Sequence, residues 1–292
     1  MSNKELNTKE LLNKSFERAV GGGLAGTTAM GVQVCSLMWL RTTVNYQYRN
    51  GTKFQETLKI LYNQGGIRRF YRGVGPALLQ APLSRFGDTA MNTGVMYYLN
   101  HNENTKDLPL SLKTFCGSLG AGLWRINLMP IDTCKTVLQV EGNKGISVLK
   151  NKIKTNGIRA LYHGSMGAFG ATLIGHFPWF YTYNFLSENI PKPEEGETLK
   201  KLSRYALIGF SSSLVSDSIS NSARVVKTTR QTNTVSKSYI EIVKEIVKKD
   251  GVVSLMNRGL KTKIISNGVQ GLLFMVIWKS LEERLLSANK TY

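Results

Sequence analysis

The sequence predicts an all-α membrane protein in which six transmembrane helices are built from three repeats of one hairpin. Three observations carry this. Ala19 to Leu40 and Gly164 to Ser187 run without an Asp, Glu, Lys or Arg, and about 20 such residues cross a bilayer as a helix. The bases Arg41, Lys135 and Lys227 recur 94 and 92 residues apart, while Gly73, Gly164 and Gly259 recur 91 and 95 apart. Two independent markers sharing one period indicate a structural unit used three times. Finally, the 38 bases outnumber the 19 acids, giving a net charge of +19, and the bases gather between the apolar stretches.

Taken in order, a polar tail to about residue 14 precedes a first long helix, from about Ser15 to Tyr46. Gly21-Gly22-Gly23-Leu24-Ala25-Gly26 gives that helix the small residues that let membrane helices approach closely. A short surface helix, Lys53 to Asn63, and the turn Gly65 to Gly73 lead to a second long helix, Gly75 to Leu99. Residues 1–105 form the first repeat. The second, 106–199, has a long helix from Leu110 to Val140, a surface helix from Ser147 to Thr155, the turn Asn156 to Gly164 and a long helix from Ala168 to Glu188. The third, 200–292, has a long helix from Leu202 to Thr232, a surface helix from Tyr239 to Lys249, the turn Asp250 to Gly259 and a long helix from Ile264 to about Leu285.

The loop charges orient the spans. Arg41 to Arg72 holds seven bases and one acid, Glu56, whereas the loop after the fourth long helix carries Glu194-Glu195-Gly196-Glu197. The positive-inside rule puts the long, basic loops in the inner compartment. The charge surplus suits an anionic membrane surface. No nucleic-acid-binding fingerprint accompanies it, so no nucleic-acid partner is expected. Cys35, Cys116 and Cys134 lie in apolar surroundings without ligand spacing and read as reduced packing residues. The three histidines, His101, His163 and His176, are too scattered for a transition-metal site. The N-terminus shows no cleavable signal-peptide pattern.

The most informative segment is Met129 to Gln139. Pro130 interrupts a helix. Asp132 and Lys135 lie one turn apart and share a face, and Gln139 follows four residues later. Such a charged face is expensive in lipid unless it lines a cavity or finds partners.

On these residues the chain resembles the mitochondrial carrier family of inner-membrane solute carriers. The proline–acid–base–glutamine motif is intact at Pro130, Asp132, Lys135 and Gln139. The glycine–aromatic–base–glycine signature stands at Gly66 to Gly73 and Gly157 to Gly164, and partly at Gly251 to Gly259. The resemblance covers about residues 15 to 286. It implies a pseudo-threefold bundle with short matrix-side surface helices and both termini toward the intermembrane space. It also implies alternating access around a central site closed by salt bridges on each side.

The gate residues depart from the family pattern. Aligned on the bases Arg41, Lys135 and Lys227, the acid position holds Met38 in repeat 1 and Arg224 in repeat 3, and the proline position holds Ser36 and Ser222. Only Asp132 and Lys227 are left to pair across repeats, with Gln139 and Gln231 beside them. Arg224 would face Arg41, and Arg224→Asp is then expected to stabilise the protein. The outer gate is degenerate as well. Trp278 to Glu282 carries its charges in reverse, helix 2 offers Met91-Asn92, and helix 4 offers Glu188 without a base.

Arg125 and Asp217 each precede a gate position by seven residues, two turns or about 10 Å. Either they line a polar site for a zwitterionic or mixed-charge metabolite, or they pair and hold the bundle closed. Arg85, Asp88 and His176 lie at similar depth, His176 reading more readily as a packed or hydrogen-bonded side chain than as a proton relay. The resemblance implies substrate contacts near Gln80, Gly175-His176, and Ser266 and Asn267. It also implies cardiolipin phosphate at the turns of Gly73, Gly164 and Gly259, helped by Arg72 and Arg258. Helix N-termini suit phosphate, although glycine at positive φ accounts for those turns equally.

Two functions follow. One is a carrier moving a small polar metabolite by alternating access. The other is a non-transporting carrier-fold subunit or adaptor of a respiratory or other membrane complex, suggested by the lost gate acids. No nucleophile–base pair or metal centre assembles, so no enzyme and no cofactor beyond bound cardiolipin is expected.

Overall fold

The computed structural model describes residues 8–194, 197–235 and 237–273, and these contain helices and turns but no strand. Repeat 1 comprises α1 (Thr8–Asn50), α2 (Phe54–Asn63), α3 (Gly66–Phe70) and α4 (Val74–His101). Repeat 2 comprises α5 (Leu110–Asn127), α6 (Met129–Glu141), α7 (Gly145–Asn156), a 3₁₀ turn (Ile158–Tyr162) and α8 (Ser165–Asn189). Repeat 3 comprises α9 (Thr198–Thr232), α10 (Tyr239–Asn257) and α11, whose described part spans 260–273. The segment 278–282, read from sequence as part of an outer gate, lies outside the described residues.

Local chemistry accounts for most boundaries. No helix breaker separates Thr8 from Ser15, so α1 begins about two turns before the expected start, helped by a Glu10–Lys14 pair at 2.9 Å. It ends where Gly51 turns left-handed at φ 73°. The helix expected from Leu110 to Val140 is two helices, because Pro130 has no N–H to donate and the chain turns at Leu128 (φ −84°, ψ −2°). The serine at the corresponding point of α9 leaves that helix unbroken for 35 residues, roughly 50 Å. At the start of α10, Ser238 and Glu241 form a reciprocal cap: Glu241 N–H donates to Ser238 Oγ and Ser238 N–H to Glu241 Oε2. The backbone hydrogen bond from Ser238 holds the Glu241 carboxyl below its ordinary pKa. α10 continues past Lys249 to Asn257, bent at Gly251 (φ 81°).

α1 packs along α4, α5 lies against α4 and α8, and α8 packs along α9. The C-terminal parts of α1, α6 and α9 touch one another pairwise and so converge on one axis. An apolar cluster of Val44 and Tyr48 from α1, Val225 and Val226 from α9, and Ile242, Ile246 and Leu255 from α10 joins the first repeat to the last. Among the described residues no helix is long and apolar enough to cross a membrane. The reason is visible in α9, where Ser212, Ser216, Asp217, Ser220 and Asn221 are all buried while Leu207, Phe210, Leu214 and Ile219 are exposed. Polar faces turn inward and lower the mean hydropathy of each helix. Cys35 is exposed rather than packed, and all three cysteines are free thiols.

Candidate substrate cavity and gate

The break at Leu128 places Asp132 in the first turn of α6, where a carboxylate is favoured by the helix dipole. Its Oδ1 takes the Lys135 ammonium at 2.6 Å and its Oδ2 the Lys227 ammonium at 2.7 Å. Gln231 Nε2 donates to the same Oδ2 at 2.9 Å and to Thr133 Oγ1 at 3.3 Å. Lys135 also donates to Gln80 Oε1 at 3.0 Å. One carboxylate with only 7% of its side chain exposed thus joins repeats 2 and 3 through two lysines. Gln80, expected to face substrate, is buried and held in this gate instead. Gln139 accepts from Asn45 Nδ2 of α1 at 2.5 Å and donates to the Met38 sulfur at 3.6 Å.

Packing corrects the alignment of repeat 1. A Cβ on Gly73 would meet Lys135 O at 2.9 Å and Gln139 Cγ at 3.5 Å. One on Gly164 would meet Gln231 Cγ at 2.9 Å and Lys227 O at 3.4 Å. One on Gly259 would meet Tyr48 Cε1 at 2.9 Å and Val44 O at 3.3 Å. All three glycines have positive φ. The counterparts of Lys135 and Gln139 in α1 are therefore Val44 and Tyr48. Thr42 Oγ1 donates to Phe70 O at 2.6 Å just as Thr133 Oγ1 donates to Leu161 O at 2.6 Å, which fixes the same register. Arg41 then occupies the acid position, Trp39 the proline position, and Met38 is a core residue with no exposure. The acid positions read Arg41, Asp132, Arg224, and the base positions Val44, Lys135, Lys227.

The charges at mid-depth pair differently from the sequence expectation. Arg125 does not reach Asp217. It binds Asp88 of α4, with Nη2 at 2.5 Å and Nε at 3.3 Å from the two carboxylate oxygens. Arg224 extends back along α9 toward mid-depth to Asp217 at 3.1 Å, as helical side chains lean toward the N-terminus. Asn267 Nδ2 donates to the other Asp217 oxygen at 2.5 Å, and Lys263 donates to Asn267 Oδ1 at 3.1 Å. Arg125 is surrounded by protein yet keeps 34% of its side-chain surface accessible. His176 is half-buried and shares a hydrogen bond with Ser118 at 3.0 Å. Gly175 is consumed by close packing on α9, its carbonyl accepting from Ser216 Oγ at 2.7 Å. Ser266 is buried, and Arg85 is exposed and outside these ion pairs.

At the matrix-facing end expected from sequence, each repeat clasps the next. Arg69 of α3 donates to Gln139 O at 2.8 Å and Val140 O at 2.7 Å. Lys152 of α7 donates to Gln231 O at 2.6 Å and Arg230 O at 3.2 Å. Arg258 donates to Tyr48 O at 3.4 Å and pairs with Asp250. Cations at helix C-termini satisfy free carbonyls and complement the dipole. Arg258, expected from sequence beside a lipid phosphate, is only 7% exposed and spends its guanidinium on Asp250 and Tyr48 O, whereas Arg72 is exposed. Burial, then Arg230 and Arg49, push the Lys152 ammonium down to about 8. Sequence reading passed over Arg69, Lys152 and Lys263. For Lys263 the available signal was its place four residues before Asn267, one turn away on the same helix face.

The comparisons agree with this architecture. The family model described as mitochondrial carrier protein matches residues 13–102, 106–194 and 199–289. The mitochondrial carrier protein CoAc1 of Zea mays is 25% identical over 69% of this chain and 65% of its own length. The calcium-dependent mitochondrial ATP-magnesium/phosphate carrier protein 2 of Arabidopsis thaliana is 24% identical over 58% of this chain and 36% of its own length. The chain thus spans less than two thirds of either relative. Mitochondrial substrate carrier family protein X of Dictyostelium discoideum is 25% identical over 73% of this chain and 72% of its own length. With three matched repeats around three converging helices, the chain belongs to the mitochondrial carrier family.

Proposed function

We propose that this protein is a mitochondrial inner-membrane carrier that moves a small polar metabolite by alternating access. Members of its family are transporters rather than enzymes. The observation that carries the reading is the shared Asp132 carboxylate, which ties α6 to α9 near the interior ion pairs of Arg125 with Asp88 and Arg224 with Asp217. A reversible tie between repeats at one end of the bundle is what a gate requires.

The outer surface supports six spans in lipid. Ile174, Phe177, Tyr181 and Phe185 form an exposed apolar stripe along α8 at helical spacing, and Leu112, Phe115 and Leu123 lie exposed on α5. Exposed apolar surface on this scale marks a partner or a membrane. In this reading the basic loops face the matrix, the termini face the intermembrane space, and cardiolipin occupies the glycine turns. The subunit alternative started from missing gate acids. Arg224 is nonetheless neutralised by Asp217 rather than left facing a cation, so the substitution is accommodated and carries no argument against cycling.

The test is reconstitution in cardiolipin-containing liposomes, with a screen for exchange of nucleotides, keto acids and amino acids. Saturable exchange that disappears in Asp217→Asn is expected. Co-purification with a large complex, without exchange and without ligand-induced thermal shift, would replace this reading with the subunit one.

A further inference from the structure

Three carboxylates, Asp88, Asp132 and Asp217, stand in the interior, each already bound by a cation: Arg125 on Asp88, Lys135 and Lys227 on Asp132, Arg224 on Asp217. Arg41 and Lys263 remain. Among the described residues neither has a carboxylate within ion-pair distance, and the only hydrogen bond of the Lys263 ammonium goes to the neutral Asn267. Both are half-buried, and because Gly259 packs on Val44 and Tyr48, Lys263, one turn past Gly259, and Arg41, one turn before Val44, lie on the same seam, within electrostatic reach of each other. Asp217, Arg224 and Arg125 lie within reach of Lys263 too, and Arg41 within reach of Lys135. The interior therefore holds cations in excess, and the excess collects where repeat 3 meets repeat 1.

At the level of Asp132 that seam has no ion pair among the described residues. Val44 stands where its partner repeats have lysines, and Arg224 turns away toward Asp217. Uncompensated charges in an enclosed place are costly unless something pairs with them. We infer that Arg41 and Lys263 form a binding site for a substrate carrying at least two negative charges, phosphate or carboxylate, which bridges α1 to α11 and so supplies the gate charge this seam lacks. Arg41 offers a planar fork suited to either oxyanion, and Lys263 a point charge. The anion would stabilise the closed seam, so ligand binding and gate closure are one event. The inference rests on the carrier reading but concerns binding, which is measured separately.

The experiment uses the purified full chain in detergent, with inorganic pyrophosphate and succinate as probes and putrescine and alanine as controls. Both anions should raise the melting temperature in a saturable, salt-sensitive manner. Arg41→Gln and Lys263→Gln should each weaken the apparent affinity by about tenfold, the loss of one charge-assisted contact, while Lys263→Arg retains most of it. Unliganded Arg41→Gln should melt at or above the wild-type temperature, since a repulsion has been removed. A shift unchanged in both Gln variants, a preference for putrescine or alanine, or no shift with either anion would overturn the inference. Exchange in liposomes reads the carrier function independently. Anion binding without exchange would defeat the carrier reading and leave this site standing, and exchange of alanine or putrescine without anion binding would do the reverse.

Discussion

Repeats 1 and 2 bring the same stretch of chain to the axis in different ways. In repeat 2, Pro130 ends one helix and starts another, and Asp132 sits in a fresh first turn between two lysines. In repeat 1, Trp39 stands in the proline position, α1 runs 43 residues without a break, and Arg41 occupies the place of the acid. The hydrogen bonds flanking the gate are nevertheless the same, Thr42 to Phe70 O and Thr133 to Leu161 O. The scaffold around the gate is therefore independent of the charges in it. Threonine, glycine and the clasping cations set the position of each helix, and the ionised side chains are then free to differ.

The largest test of this separation is Asp132→Asn. It leaves Lys135 and Lys227 enclosed without a counter-charge, which should cost about 3–5 kcal/mol and lower the melting temperature by several degrees, with exchange abolished. A small loss would mean that the carboxylate is not the principal tie between repeats 2 and 3. Next comes Arg224→Asp. Aligned by sequence on Arg41, it was expected to stabilise. The structural register instead puts Val44 opposite and strips Asp217 of its cation, so a loss of about 2 kcal/mol is expected. Adding Val44→Lys should recover much of it, and a double-mutant cycle on thermal unfolding measures the coupling. Absence of coupling would return Arg41 to the base position.

The smallest effect concerns the clasps. Lys152→Met removes two hydrogen bonds to buried carbonyls and should cost about 1 kcal/mol. The folded protein holds the Lys152 proton only up to about pH 8, against an ordinary 10.5. Between those values the unfolded chain binds more protons, so this group's contribution to stability rises with pH there and is constant below pH 8. The melting temperature of the wild type relative to Lys152→Met should climb across that window. A flat difference would show that the ammonium is not confined as the geometry indicates.

The three-repeat plan was legible because glycines and bases mark the period and Pro130 marks its centre. The gate register of repeat 1 was not. The bases run 94 residues from Arg41 to Lys135, but the glycines run 91 from Gly73 to Gly164, a disagreement close to one helical turn. Arg41 lies 32 residues before Gly73, as Lys227 lies 32 before Gly259, whereas Lys135 lies 29 before Gly164. Sequence spacing supports both registers, and the contact of Gly259 with Val44 and Tyr48, together with the matching hydrogen bonds of Thr42 and Thr133, decides. The partners of Arg125 were hidden for a related reason. Depth along a helix places Arg125 and Asp217 at one level, but which neighbouring helix supplies the partner depends on packing around the axis, and α4 presents Asp88 closer.

The sharing of Asp132 among two repeats has a mechanical reading. A barrel held fast along one stave joint and loosely along the other two does not widen evenly. It swings open from the held joint like a door. The joint between the second and third units would then act as the hinge post, and the first unit, with no carboxylate of its own at this level, as the leaf that moves.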